Sequence, residues 1–371
     1  MGSVLKMEWV VGFLMVVGGV PYLTLIVWLW LGLRRQPVST VGDVPSVSIL
    51  IAARNEENYI EECLKSIKDQ KYEGAWEVIV VDDRSTDNTY DIVSAMSLGW
   101  DKLCVVSAPN PPKLLCPKKS ALEAGIEIAN GEILLFTDAD CVVPFNWIRS
   151  MASHFDSDVG FVAGYAATGR GSSFLQHVLS VENMAIGALA VGSFAQSKPL
   201  SCSGRNLGYR KSVFSEVGGF AECGYLVGGD DVYMMRIIKR HAKWKMCFNR
   251  ESVVRSRPAP LKIISIVHQK IRHAAKGSNY SGPAYFLGIS VYLYHWGILA
   301  GLVLWLSTGL ISSWWVSFWG VRFIFDFILL RKMQTIDSFN GLSVLPFIEI
   351  LYIPYVCFFP IAARMGFFKW K

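Results

Sequence analysis

The sequence predicts an α/β domain on a parallel, Rossmann-like sheet, with transmembrane helices before and after it. Three observations carry that expectation. Between Pro45 and about Arg255, short β-branched runs alternate with amphipathic helical stretches, the pattern of strands joined by helical crossovers. Three of those runs end in polar clusters: ARNEE (53–57), DDRSTDNT (82–89) and TDADC (137–141). Ligands of open α/β sheets bind beyond the carboxyl ends of the strands, where these clusters fall. Finally, apolar residues make up 52% of the 371, with 13 Trp and 21 Phe, and the excess lies at the two ends of the chain, as bilayer-crossing segments require.

Taken from the N-terminus, Trp9–Leu33 offers 25 positions without a charged side chain. At about 1.5 Å per residue that crosses a hydrocarbon layer of about 30 Å. The run is too long for the core of a cleaved signal peptide, so segment 1–36 reads as an uncleaved anchor. Arg34 and Arg35 follow directly, and the positive-inside rule then places the next domain in the cytoplasm.

That domain, 45–257, has strand candidates at 46–53, 77–83, 103–107 and 132–137. Helix candidates are 57–70, with Ile60, Leu64 and Ile67 on one face, and 119–129, with Leu122, Ile126 and Ala129. Residues 160–200 read as a loop, with GRGSS (169–173) a mobile connection. A strand and a short helix follow at 200–220. In 224–244, Asp230 and Asp231 stand at the start of a helix, where N-capping explains one carboxylate but not two.

Segment 258–277 mixes Ile263, Ile264, Val267 and Ile271 with Lys262, Lys270, Arg272 and Lys276, which fits an amphipathic helix at the membrane surface. The remainder, 278–371, is a membrane region of two or three spans. The formally uncharged stretch 277–321 suits two, broken near Ser307-Thr308-Gly309, with Trp314, Trp315 and Trp319 at the interface or facing lipid. Arg331 and Lys332 mark a return to the cytoplasmic side, and Leu342–Ala363 is a further candidate despite Glu349. Its basic end favours the cytoplasm, while four spans from an external N-terminus put it outside; a re-entrant or interfacial segment is the competing arrangement.

The eight cysteines form no C-x-x-C pair and read as reduced, cytoplasmic thiols. The net charge of +6 is modest, and the basic residues gather near the proposed membrane edge, which points to anionic headgroups and not to nucleic acid.

Asp138 and Asp140 pose the main chemical question. If the preceding strand continued through them, both would lie on one face, and two carboxylates so close repel unless a cation, hydrogen bonds or solvent offset the repulsion. The plain alternative is a polar loop after a strand.

At this point the residues resemble a known family: the inverting GT-A glycosyltransferases of family 2, in particular membrane-attached members related to ceramide glucosyltransferase and to cellulose and hyaluronan synthases. The likeness runs from about Ser46 to His273. It implies that Ala52, Ala53, Arg54, Asn55 and Glu56 match a nucleotide loop in which Ala52 stands where proline is usual. Asp83 matches the acid that contacts the base. Lys118-Lys119-Ser120-Ala121-Leu122 matches a G-K-x-x-A-L element with Pro117 for glycine; the register favours Lys118, with Lys119 as substitute.

The resemblance makes Asp138-Ala139-Asp140 the D-x-D motif, with Asp140 a direct ligand of Mg²⁺ or Mn²⁺ and Asp138 a partner of the ribose or of metal-bound water. It makes Asp230-Asp231 the E-D motif, with Asp231 the catalytic base, and it makes Gln269-Lys270-Ile271-Arg272-His273 the Q-x-x-R-W motif, with His273 for tryptophan. Arg272 then pairs with the diphosphate. The implied reaction is transfer from a nucleotide-sugar, a UDP-sugar first, to a hydroxyl of a membrane lipid. Its rivals are a processive polysaccharide synthase, transfer to a polyprenyl phosphate, and a catalytically silent membrane scaffold.

Overall fold

The computed structural model describes residues 2–35, 44–111, 115–226, 229–241, 243–259, 262–276, 283–309 and 313–365. In chain order the elements are α1 (Gly2–Arg34), β1 (Val47–Ala53), α2 (Ile60–Lys68), β2 (Trp76–Asp82), α3 (Thr89–Ser97), β3 (Leu103–Ser107), α4 (Pro117–Ile128) and β4 (Ile133–Phe136). Then follow β5 (Cys141–Val142), α5 (Trp147–Ala152), β6 (Val159–Thr168), α6 (Phe174–Ala195), β7 (Leu207–Arg210), α7 (Lys211–Glu216), α8 (Asp230–His241) and β8 (Lys245–Ser256). The last are α9 (Ile263–Lys276), α10 (Pro283–Thr308), α11 (Ser313–Asp337) and α12 (Leu345–Arg364). The chain divides into two compact units. One comprises Arg35–Gly169 and Leu189–Arg257, the other Met1–Arg34, Arg170–Ala188 and Pro258–Lys371.

The first unit is built on an eight-stranded sheet of order β3-β2-β1-β4-β7-β6-β8-β5. Successive side chains on β1 alternate between its two faces. Ile49 and Ile51 pack with Ile60, Leu64 and Ile67 of α2, while Leu50 packs with Ala121, Leu122 and Ile126 of α4. Both faces are therefore covered, which is why the first strands read as unbroken apolar runs in the sequence.

β3, β2, β1 and β4 are parallel, as expected. The rest of the sheet is not. β7 runs antiparallel to β4 and β6, and β8 is parallel to β6 but antiparallel to β5. The sheet is thus mixed, because direction of pairing is a long-range property that the local alternation of runs does not carry. Nor is 160–200 a loop: it holds most of the ten-residue β6 and all of the 22-residue α6, joined through 169–173.

Among the described residues, five helical segments are long and apolar enough to cross a membrane: Lys6–Arg34, Phe174–Ala195, Tyr285–Thr308, Ser313–Asp337 and Leu342–Arg364. The break expected near Gly309 is present. The second helix, however, continues 16 residues past Val321, because Arg322 and Asp326 are neutralised inside the bundle. Arg322 Nε stands 3.2 Å from Asp326 Oδ2, its Nη2 3.0 Å from Glu349 Oε2, and Tyr22 O–H donates to both Asp326 oxygens at 2.7 and 2.8 Å. Trp315 is buried, with its Nε1–H donating to Ile298 O at 2.9 Å, so of the tryptophans assigned to lipid this one packs inward. α1 and α10 approach closely at Gly18, where a Cβ would lie 2.5 Å from the Tyr294 nitrogen. On α9, Lys270 pairs with Glu182 of α6 and lies over the Tyr355 ring.

Candidate active site

The order β3-β2-β1-β4 makes the gap between β1 and β4 the point at which the chain reverses its direction of winding, where a crevice opens beyond the strand ends. The loops after β1 and β2 are stitched together there. Asn55 Oδ1 accepts the Thr86 N–H at 2.8 Å, and the Asn55 N–H donates to Ser85 Oγ at 3.0 Å. The Glu56 N–H donates to Thr89 Oγ1 at 2.8 Å and the Glu57 N–H to Asp87 Oδ2 at 3.2 Å. Asp87 Oδ1 also accepts the Thr89 N–H at 3.0 Å at the start of α3. Desolvation pushes the Asp87 carboxyl upward, but the hydrogen bonds from Thr89 and Glu57 outweigh it and hold the group below its usual range. Arg54 is exposed, Glu56 half-buried, and Ala52 faces the crevice.

Asp82 and Asp83 are both buried. The Asp83 side chain pairs with Arg84, whose φ of +58° is unusual for a long side chain. Asp82 Oδ2 accepts the Ser85 N–H at 3.2 Å, while its buried Oδ1 has no hydrogen-bond partner among the described residues.

The third loop follows β4. The strand ends at Phe136, so Asp138 and Asp140 lie in a turn and not on one face of a strand. The turn is fixed by the Cys141 N–H donating to Asp138 O at 3.1 Å and by the buried Cys63 thiol 3.6 Å from the same oxygen. Each acid has its own cation. Lys118 Nζ donates to Asp138 Oδ1 at 2.9 Å and stands 3.4 Å from Asp230 Oδ2; Arg257 Nε stands 3.3 Å from Asp140 Oδ2. Burial alone would lower the Lys118 ammonium, yet Asp138 and Asp230 more than offset this and hold it well above its usual value. Burial and then the Asp138 charge push the Asp140 carboxyl up, against the opposing pull of Arg257 and Arg205.

α8 opens with Asp230 and Asp231. Asp231 Oδ2 accepts the Gly204 N–H at 3.0 Å and its Oδ1 accepts the Val232 N–H at 2.7 Å, so both oxygens are oriented. The bare Gly204 leaves room for the neighbouring carboxylate, since a Cβ there would lie 3.3 Å from Asp230 Oδ2. Together these residues frame a solvent-open cleft, with Ala52, Lys118, Thr137, Asp138, Asp230 and Asp231 among its lining.

Of the two adjacent lysines, Lys118 reaches this cleft. Lys119 is fully buried and donates to Cys223 O at 2.6 Å and Leu226 O at 2.7 Å, which ties down the segment before α8. Gln269 is exposed on α9 in the other unit, and the side chains of Arg272 and His273 lie outside the described residues. Sequence reasoning missed Arg257 and Gly204. Arg257 carries no local signal beyond preceding Pro258, since a strand register brings it to Asp140.

Residues 48–218 match the family described as Glycosyl transferase family 2. Residues 48–218 are thus similar to a family 2 glycosyltransferase domain. Among curated proteins, it is 30% identical over 190 residues to the probable glycosyltransferase YdaM of Bacillus subtilis, covering 48% of this chain and 43% of that protein. It is 37% identical over 126 residues to a beta-monoglucosyldiacylglycerol synthase of Nostoc sp., covering 34% of this chain and 26% of the relative. The chain thus spans less than half the length of either. A mannosyltransferase of Pyrobaculum calidifontis, solved with GDP-Man and Mn²⁺, has the same fold: TM-score 0.64 at 18% identity, over 97% of this chain and 98% of that one. The sheet unit therefore has the mixed α/β GT-A fold. Asp230, Asp231 and Arg257 lie beyond the residues matched to the family.

Proposed function

We propose that the chain is an inverting glycosyltransferase that moves a sugar from a nucleotide-sugar, a UDP-sugar first, to a hydroxyl of a membrane lipid. The observation that carries this reading is the meeting of Asp138, Lys118, Asp230 and Asp231 in one cleft beyond the strand ends of a family 2 domain. Asp231 is the base. Two backbone N–H groups hold its carboxylate, and each oxygen keeps acceptor capacity for a hydroxyl proton. It takes that proton as the acceptor oxygen bonds to the anomeric carbon and the nucleoside diphosphate departs from the opposite side, which inverts the centre. Asp230 holds Lys118 in position, and the Lys118 ammonium faces the diphosphate. Ala52, Arg54, Glu56 and Asp83 border the nucleotide.

Asp140 and Asp138 fit a hard divalent cation such as Mg²⁺ or Mn²⁺, which prefers oxygen donors. Among the described residues no third His, Cys, Asp or Glu joins them in a ligand set, so this site suits an ion whose remaining ligands are phosphate oxygens and water. When bound, the ion offsets the charge of the departing diphosphate.

A lipid acceptor is favoured by the five apolar helices and by a relative named for a glucosyldiacylglycerol. The basic residues Arg34, Arg35, Arg331 and Lys332 favour a catalytic domain on the cytoplasmic face of the membrane. The test is mass spectrometry of lipids after incubating the purified chain in nanodiscs with UDP-sugars and Mn²⁺. One sugar added per lipid is expected. A polymer would favour the synthase reading, and absence of both transfer and nucleotide-sugar hydrolysis would defeat the proposal.

A further inference from the structure

The side chain opposite Asp140 is set by strand pairing. β5 runs antiparallel to the end of β8 with Cys141 opposite Ser256, so the next pair outward is Asp140 and Arg257. The Arg257 N–H donates to Asp140 O at 3.1 Å, which extends the ladder by one bond. The guanidinium then rests 4.4 Å from the centre of the Tyr59 ring, just before α2, with Nε 3.3 Å from Asp140 Oδ2. Three different contacts thus aim one arginine at one carboxylate.

Stability is a poor reason for the arrangement. The Arg257 side chain is 38% exposed and that of Asp140 22%. Ion pairs this open contribute little to folding. Their effect on the charge of the site is larger. Asp138, Asp140, Asp230 and Asp231 bring four carboxylates together, and Lys118, Arg205 and Arg257 answer with three positive charges. A dication entering beside Asp140 meets a guanidinium already paired with the oxygen it needs. A diphosphate arriving at the same place meets a planar fork of N–H donors suited to phosphate.

We propose that Arg257 is a resident cation of the donor site, which neutralises Asp140 before the donor arrives, yields that carboxylate to the divalent ion, and turns its guanidinium to the diphosphate. This rests on the metal-dependent reading above. No bond is made or broken; one ion pair is exchanged for another. The consequence is a pair of opposite signs. Without Arg257 the metal alone binds more tightly, because a competitor and a repelling charge are gone, while the nucleotide binds more weakly, because a phosphate partner is gone. A residue that merely held the fold together would weaken both.

The test uses the full chain in nanodiscs. Mn²⁺ binding without nucleotide is followed by electron paramagnetic resonance of the free ion, and binding of UDP and GDP at saturating Mn²⁺ is followed by calorimetry. R257Q should bind Mn²⁺ about fivefold more tightly and its preferred nucleotide about tenfold more weakly than the unmodified chain. R257K, which keeps the charge but loses the fork, should leave Mn²⁺ affinity unchanged and weaken the nucleotide by a smaller factor; if R257Q fails to fold, this variant decides alone. Equal or weaker Mn²⁺ binding by R257Q, or unchanged nucleotide binding by either variant, overturns the proposal. Absence of Mn²⁺ binding by the unmodified chain, with and without nucleotide, overturns the metal-dependent reading itself.

Discussion

Each of the two units holds a pair of carboxylates against a guanidinium, and the two arrangements differ in burial. In the sheet unit, Asp138 and Asp140 meet Lys118 and Arg257 with their side chains between 22% and 38% exposed. In the helical unit, Asp326 and Glu349 meet Arg322 with side chains 3% to 11% exposed, and Tyr22 supplies a further hydrogen bond. The chemistry is similar and the consequence is not. Water near the first cluster makes exchange of one cation for another inexpensive, whereas separating the second would strand charge in a medium that does not solvate it. The open cluster suits a reaction centre and the closed one suits a brace.

Several measurements would break or sharpen that contrast. The largest effect is expected from Asp231→Asn, which should lower sugar transfer by about 10² to 10⁴ and leave nucleotide affinity within about threefold, since the carboxamide keeps the shape but not the basicity. Steady-state kinetics and calorimetry would show it; normal turnover would remove Asp231 from its role. Next comes Arg322→Leu, which leaves two carboxylates without their counter-charge and should cost about 3–5 kcal/mol in a detergent unfolding titration. Replacing Arg322, Asp326 and Glu349 together by Met, Leu and Leu should recover most of that loss. Equal stability of the single and triple variants would show that the cluster is no brace.

Much of the open cluster was legible in the sequence, and the reason is local. Each of Asp83, Asp138 and Asp231 stands at a strand end or helix start that its own neighbours announce, and the helix carrying Lys118 shows its apolar face at residues 122 and 126. What could not be read depends on contacts distant in sequence. Arg257 reaches Asp140 through the β5–β8 register, more than a hundred residues apart. The motif register favoured Lys118 over Lys119, but the burial of Lys119 against Cys223 O and Leu226 O was not legible. α6 passed for a loop because its run of small and apolar residues is interrupted by Asn183 and Glu182, and the latter is neutralised by the sequence-distant Lys270 of α9. α11 looked too charged to continue for the same reason: the partners of Arg322 lie partly on another helix.

Two smaller effects complete the contrast. R257Q should change the unfolding free energy by no more than about 1 kcal/mol, as expected of an open ion pair, against the several lost at Arg322. Its pH profile should move as well. Burial and Asp138 raise the Asp140 carboxyl, while Arg257 lowers it. A proton on Asp140 blocks a cation from that oxygen, so activity falls on the acid side as the carboxyl fills. With Arg257 gone, one lowering influence is lost, the carboxyl rises further, and the acid limb should shift to higher pH. A profile measured at a fixed, subsaturating Mn²⁺ concentration would show the shift or its absence.

The most direct test of the central claim is release of nucleoside diphosphate from a nucleotide-sugar by the purified chain, with divalent ions first removed by chelator and then restored. The account predicts negligible release with chelator and recovery on adding Mn²⁺ or Mg²⁺, with one sugar gained by lipid for each diphosphate freed. Release that ignores the chelator, or none from any nucleotide-sugar with either ion, would contradict it.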